Sequence, residues 1–286
     1  MVNKITAAMI KEIRERTGIS LLECKKALVE SQGNIELAID NMRKLGKVKA
    51  AKKAGSVATK GSILTKITPN LKYGVIIEIN CETDFVAKNF YFQAFCDVVI
   101  NLAINERIMD IDTLKKQVEN KRTELIVKVG ENINIRRMGI LEGDTLVSYL
   151  HNTHIGVIVS VINTDLVSTN DVTLVMKHVA MHIAASKPEY INVKDIPSDI
   201  VSHEKTIQRD IIRQSGKISP DITQKIIEGR MRKFFEEICL NEQLFVMDHS
   251  KTVGKFLCES GIQINNFIRF EVGEGINPKI PFNYQK

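Results

Sequence analysis

Apolar residues recur at helical spacing through the first forty-five positions, and then the period changes. Ile5, Met9, Ile10 and Ile13 share one helical face, and Thr17-Gly18 closes that segment with a C-terminal glycine. Ser20 and Glu23 make a capping-box pair for a second helix through Leu21, Leu22, Ala27 and Leu28. Gly33-Asn34 breaks and recaps the chain, and Ile35, Ala38, Ile39, Met42 and Leu45 mark a third helix that stops before Gly46. About forty residues is near the lower limit for independent folding. Three short helices enclose too little volume for an active site, so residues 1–46 predict a docking module.

Residues 47–60 form a basic linker with some helical character in Ala50-Ala51-Lys52-Lys53-Ala54. Ser62–Thr68 and Tyr73–Asn80 then alternate as a strand hairpin around Pro69-Asn70. A helix follows from about Asn89 to Asn105, buried through Phe92, Phe95, Val98, Val99 and Leu102, and another runs from Ile111 to Val129 and ends at Gly130. Ile133, Ile135, Met138 and Ile140 open a strand region that Thr145–His151 and Ile155–Ile162 continue as a second hairpin. From Pro197 to Cys239 the spacing is that of a helical hairpin. Ile200, Ile207 and Ile211 lead to Gly216, Ser219-Pro220-Asp221 restarts the helix, and Ile222, Ile226, Ile227, Met231, Phe234, Phe235 and Ile238 form its second stripe. Thr252–Ser260 reads as a short helix and Asn266–Val272 as a last strand; Asn277-Pro278-Lys279-Ile280-Pro281 is a tail.

A repeat underlies the middle of the chain. Thr83-Asp84-Phe85-Val86-Ala87-Lys88-Asn89 aligns with Thr164-Asp165-Leu166-Val167-Ser168-Thr169-Asn170, and Phe95, Val98, Leu102 and Ala103 fall on Met176, Val179, Ile183 and Ala184. Gly74-Val75-Ile76 finds Gly156-Val157-Ile158 one residue out of register. Two related α+β units follow, each a strand hairpin running through a Thr-Asp loop into a helix. The first copy differs in carrying Phe85 where the second has Leu166. Locally Phe85 suits a hydrophobic staple at the helix start, and loop aromatics commonly anchor loops.

The resulting organisation is α+β. It comprises the three-helix module 1–46, the linker 47–60, a core subdomain 61–141, a second core subdomain from 142–195 and 240–276, a helical hairpin 196–239 and a tail 277–286.

Charge sharpens this picture. Residues 1–60 hold 13 Lys/Arg against 6 Asp/Glu, whereas the remaining 226 hold 27 against 28. Between Asp40 and Glu78 no acid occurs, while Arg43, Lys44, Lys47, Lys49, Lys52, Lys53, Lys60, Lys66 and Lys72 are basic. Such a stretch attracts nucleic acid or an acidic protein face, or simply solvates a linker. Tyr73 is the only aromatic near it, so a stacking platform for RNA is missing. A basic RNA- or ribosome-associated binding protein is one reading, and a ubiquitin-binding adaptor built on the N-terminal module is another.

The chemistry of catalysis is not visible. Five scattered cysteines form no C-x-x-C pair, which points to a reducing compartment. The opening Met1-Val2-Asn3-Lys4-Ile5 has no apolar signal core, and no run approaches the ~20 apolar residues of a membrane span. A cytoplasmic protein is expected. No P-loop, dinucleotide fingerprint, nucleophile elbow or EF-hand is present. His178 and His182 have zincin spacing but Val179 stands where the glutamate would be, so no metal or other cofactor is expected. The chain reads as a binder.

Three blocks resemble the bacterial elongation factor Ts family, the guanine-nucleotide exchange factors of elongation factor Tu. The first joins Ile13-Arg14-Glu15-Arg16-Thr17-Gly18 to Cys24-Lys25-Lys26-Ala27-Leu28, and the second is Glu78-Ile79-Asn80-Cys81-Glu82-Thr83-Asp84-Phe85-Val86-Ala87-Lys88. The third is Ala180-Met181-His182-Ile183-Ala184-Ala185-Ser186-Lys187-Pro188, with Glu228-Gly229-Arg230-Met231 and Phe270-Glu271-Val272-Gly273-Glu274-Gly275. The resemblance implies a ubiquitin-associated-like N-terminal module, a two-subdomain core and a protruding antiparallel coiled coil. It implies elongation factor Tu, with GDP or nucleotide-free, as partner, with no membrane and no direct nucleic-acid contact. Thr83, Asp84, Phe85 and Val86 would disturb the partner's Mg²⁺ site. His151, Arg14, Thr17 and Gly18 would make further partner contacts, although the family often has Gly where Asn152 follows His151. Longer members carry another C-terminal helix where this chain has only Ile276–Lys286.

Overall fold

The computed structural model describes residues 5–162, 169–214 and 220–276. They form a mixed α/β chain of helices and small antiparallel sheets. Two compact units share it. One gathers the chain up to Lys66, Val75–Gly139 and the segment from Phe270, and the other gathers Ile67–Gly74 and Ile140–Arg269.

The first unit opens with α1 (Ala7–Thr17), α2 (Leu21–Glu30) and α3 (Ile35–Lys53). Thr6, Ser20 and Asn34 cap them, each side chain accepting the backbone N–H three residues on. Ile13, Cys24, Ala27, Leu28, Ala38, Ile39 and Met42 form their core. Leu21 and Leu22 stand outside it, 51% and 64% exposed. The expected stop of the third helix at Gly46 is corrected, because α3 continues to Lys53. Gly46 lies where α3 packs on a later helix, and a Cβ there would sit 3.0 Å from Cγ2 of Val127. Close approach, not termination, is what this glycine provides; the alanines and lysines beyond it are good helix formers.

Next come β1 (Lys60–Ile67), β2 (Tyr73–Cys81), the one-turn α4 (Asp84–Ala87), α5 (Phe90–Asn105), α6 (Ile111–Val129) and β3 (Asn134–Glu142). The sheet order is β1-β2-β3. All nine positions of β2 are buried, which explains its unbroken apolar run. α5 packs on α6, and α6 on α3.

Within β2 the buried Glu78 is satisfied by a ring of donors. Arg136 Nη1 reaches both its oxygens at 3.0 and 2.9 Å, and Arg137 Nε lies 2.5 Å away. Asn80 Nδ2 donates at 3.0 Å and the Gly273 N–H at 2.8 Å. Burial raises the pKa of Glu78, but Gly273, Asn80 and Arg137 outweigh it and hold the carboxyl below its ordinary value. Arg137 also donates to the Glu271 carbonyl and stacks 4.1 Å over Phe270, which ties the end of the last strand to β2.

In the second unit β4 (Thr145–His151) pairs antiparallel with β5 (Ile155–Ile162), from Thr145↔Val161 to His151↔Ile155. α7 (Thr169–Ser186) packs on both strands. After it come α8 (Ser198–Gln214), α9 (Pro220–Ile238), β6 (Leu244–Phe245), β7 (Asp248–Thr252), α10 (Val253–Glu259) and β8 (Gln263–Glu271), the last completing a β4-β5-β8 sheet. The core joins Val157, Val159 and Val161 to Met176, Val179, Ile183 and Phe245. Of these, Val157, Met176, Val179 and Ile183 are positions that the repeat aligns with the first copy; its second Thr-Asp loop lies outside the described residues.

α8 and α9 pack together around Ile212, Ile227 and Met231. The seam is displaced from the stripe read in the sequence, for Ile200, Ile207 and Ile211 are exposed while Val201 and Ile212 face the cluster.

Candidate functional site

The eleven-residue block beginning at Glu78 divides in two. Glu78–Cys81 is interior strand, whereas Glu82–Lys88 leaves the sheet, turns through α4 and delivers the chain to α5. Thr83 caps α4 with an extended backbone, its hydroxyl accepting the Val86 N–H at 3.3 Å. Val86 and Ala87 point inward and are buried. Asp84 and Phe85 point outward. Phe85 is 88% exposed, so it staples nothing, and the bland expectation from local sequence is corrected. A one-turn helix has room for two inward side chains, and Val86-Ala87 already occupies that face.

The tip is held from behind by an exchange of carboxylates. Glu131 Oε2 accepts the backbone N–H groups of Glu82 and Thr83, each at 3.0 Å, and Glu131 Oε1 accepts the Thr83 hydroxyl at 2.6 Å. In return Glu82 Oε1 accepts the Asn132 N–H at 2.7 Å and Lys53 Nζ at 3.3 Å. Asn132 is buried and donates through its side chain to the Ser56 carbonyl at 2.8 Å. Gly130 makes this possible. It ends α6 at φ +77°, a left-handed turn that glycine takes without strain and that brings Glu131 against the loop.

Asp84 meets Lys60 Nζ at 3.5 Å with both side chains well exposed, a pair worth ~0–1 kcal/mol that leaves the carboxylate free to change partners. Two lysines of the acid-free stretch, Lys53 and Lys60, are thus directed at this loop. Beside the tip, Phe90 is 78% exposed and meets Tyr91 edge-on at 5.8 Å, and Lys128 lies 5.0 Å from the Tyr91 ring.

Cys81, directly before the loop, is no nucleophile. Burial first, then the charge of Glu131, pushes its thiol up to about 12, and Sγ donates to the Thr83 carbonyl at 3.2 Å. Among the described residues no three His, Cys, Asp or Glu side chains gather as metal ligands. His182, the second of the zincin-spaced pair, is buried. Its Nδ1 accepts the Val246 N–H at 3.3 Å and its Nε2 donates to Gln243 Oε1 at 2.9 Å. Burial pushes its pKa down, against the Gln243 hydrogen bond, so the ring is a neutral internal strut. Among the described residues no helix is long and apolar enough to cross a membrane.

The other residues singled out by sequence are distributed. Arg14 and Gly18 are exposed at the end of α1, and Gly18 closes that helix in the left-handed region. The Thr17 hydroxyl donates to the Ile13 carbonyl at 2.7 Å, and Thr17 lines a groove of ≈690 Å³ with Arg16, Arg43, Glu124 and Lys128. The exposed Leu21 and Leu22 follow on from Gly18. His151, in the second unit, is exposed at the end of β4, with Nδ1 3.1 Å from the Tyr149 hydroxyl. Asn152 next to it has φ +49°, a conformation Gly takes freely and Asn tolerates best among the rest.

Sequence reasoning missed Glu131, Asn132, Lys53 and Lys60 as partners of the loop. The one local signal for Glu131 is its sign: an acid just past a helix C-terminus sits against the helix dipole and calls for donors elsewhere.

A family model described as "Elongation factor TS" matches residues 82–274. Elongation factor Ts of Sodalis glossinidius (strain morsitans) is 62% identical over 272 residues, covering 95% of this chain and 93% of that protein. Elongation factor Ts of Yersinia pestis (strain Pestoides F) is 57% identical over the same span and coverage.

Proposed function

We propose that this chain, which belongs to the elongation factor Ts family, binds the GDP form of elongation factor Tu and promotes exchange of GDP for GTP. Thr83, Asp84, Phe85 and Val86 form the working tip, with Asp84 and Phe85 disturbing the partner's Mg²⁺ and nucleotide site. The observation that carries this reading is the 88% exposure of Phe85 on a loop whose backbone is fixed by Glu131. A large aromatic held out in water contributes nothing to its own fold, and it is preorganised to be buried elsewhere.

Magnitudes assign the rest of the work. A nucleotide held at nanomolar affinity is bound by ~12 kcal/mol. Burying one Phe contributes about 1.5–3 kcal/mol, which by itself cannot empty such a site. Distributed docking supplies the remainder. Arg14, Thr17 and Gly18, with the exposed Leu21 and Leu22 beside them, form the contact surface of the N-terminal module, and His151 adds one from the second unit. By linkage, factor and nucleotide weaken each other's binding by the same factor. The chain performs no covalent chemistry of its own.

The finer architecture belongs to the same reading. Residues 1–46 are a ubiquitin-associated-like module, 61–141 and 142–195 with 240–276 are related core subdomains, and α8 and α9 are the arms of a protruding antiparallel coiled coil. The RNA-binding alternative is weakened because Tyr73, the aromatic next to the basic stretch in sequence, is buried and offers no face for stacking.

The test is release of mant-GDP from elongation factor Tu with the Asp84→Ala/Phe85→Ala double variant. A release rate well below wild type supports the tip. Unchanged binding together with an unchanged rate removes it.

A further inference from the structure

We propose that Glu131 is a positioning residue for exchange, setting the angle at which Asp84 and Phe85 meet the partner; this rests on the assignment of those two residues as the working tip. Phe85 is too exposed to be oriented by its own packing. Its direction is inherited from the backbone of Thr83–Val86. That backbone is one helical turn, too short to hold itself together, because nucleating a turn costs more than its few hydrogen bonds return.

What fixes the turn is the Glu131 carboxylate. It accepts two consecutive N–H groups, of Glu82 and Thr83, and the hydroxyl of the capping residue Thr83. The return contact from Glu82 to the Asn132 N–H prevents the two segments from sliding past each other. Glu131 also has no use within its own helix. It follows the C-terminal Gly130, where a negative charge opposes the helix dipole, so its three loop donors are what stabilises it there. The cap and the clamp meet in one atom. Thr83 Oγ1 accepts from Val86 and donates to Glu131, so loosening the clamp loosens the start of α4.

A misdirected tip still lets the rest of the surface dock. Glu131→Ala therefore lowers the maximal rate of mant-GDP release from elongation factor Tu at saturating factor by about tenfold or more, as a displaced reacting group does in an active site. The factor concentration giving half the maximal rate stays within about threefold of wild type, because docking affinity resides in the other contacts. Glu131→Gln, which keeps an oxygen for the two N–H groups and can donate to Thr83 Oγ1, restores most of the rate. Thr83→Val, which removes the hydroxyl from the other side, lowers the rate in the same way and adds little to Glu131→Ala. Phe85→Ala is measured alongside. If Phe85→Ala is slow but Glu131→Ala matches wild type, the clamp is overturned while Asp84 and Phe85 stand as the groups that meet the partner. A slow Glu131→Ala that Gln fails to rescue, or whose half-saturating concentration rises as steeply as its rate falls, overturns positioning in favour of general damage. If Phe85→Ala has the wild-type rate, the tip assignment fails, and the positioning role with it.

Discussion

Replacing Glu78 probes a buried charge with four bonding partners. Its carboxylate is fully buried and receives Arg136, Arg137, Asn80 and the Gly273 N–H. In Glu78→Ala the half-buried Arg136 loses its carboxylate partner, Arg137 is left with the Glu274 carboxylate at 3.2 Å, and the Gly273 N–H loses its acceptor. Breaking a buried pair from one side costs about 3–5 kcal/mol. Glu78→Gln keeps the shape and one acceptor but loses the charge, at about 1.5–3 kcal/mol for charged hydrogen bonds. The carboxyl is held below its ordinary value of 4.5, so the folded state binds the proton more weakly than the unfolded chain. Its contribution is therefore complete above the ordinary value and is lost as pH falls through the folded one. Urea unfolding followed by far-UV circular dichroism at pH 7 and again below pH 4 reads both effects. The gap between wild type and Glu78→Gln should be 1.5 kcal/mol or more at pH 7 and should shrink on acidification. Equal stability at pH 7, or a gap that widens in acid, refutes the reasoning.

Three further outcomes follow from burial and backbone geometry. Phe85→Ala should leave stability within about 0.5 kcal/mol of wild type, as for other surface changes, whereas Phe92→Ala, at a site with no exposure, should cost about 3–5 kcal/mol; paired thermal melts compare them. Gly130→Ala forces a left-handed conformation on a residue with a Cβ and should cost about 1–3 kcal/mol, read by urea midpoint. His182 is held neutral below its ordinary value of 6.5, so its contribution is complete above that value and falls away as the pH drops through the folded one. Wild type should lose more thermal stability between pH 7.5 and 5.5 than His182→Gln, and parallel pH profiles would contradict this.

What could be read from the sequence was whatever depends on near neighbours. The helix starts at Ser20, Asn34 and Asn89 carry their caps within three residues, and the Gly130 stop needs only its own φ, so these elements lie where the pattern puts them. Gly46 was illegible because its purpose is set by Val127, far along the chain. Phe85 was illegible for another reason. A staple and an exposed tip share one local sequence, and the choice between them is made by Val86 and Ala87 filling the inward face. The carboxylate exchange between Glu82 and Glu131 spans about fifty residues and leaves no periodic trace. The seam of α8 and α9 lies one residue from the expected stripe, because Ile200, Ile207 and Ile211 have the spacing of a buried stripe whichever face is covered.

Faster loss of nucleotide from elongation factor Tu is the activity proposed for this chain. Stopped-flow release of mant-GDP from elongation factor Tu, against rising concentrations of the intact chain, measures it directly. The rate should climb with concentration and saturate well above intrinsic release. A rate that stays at the intrinsic value throughout would contradict it.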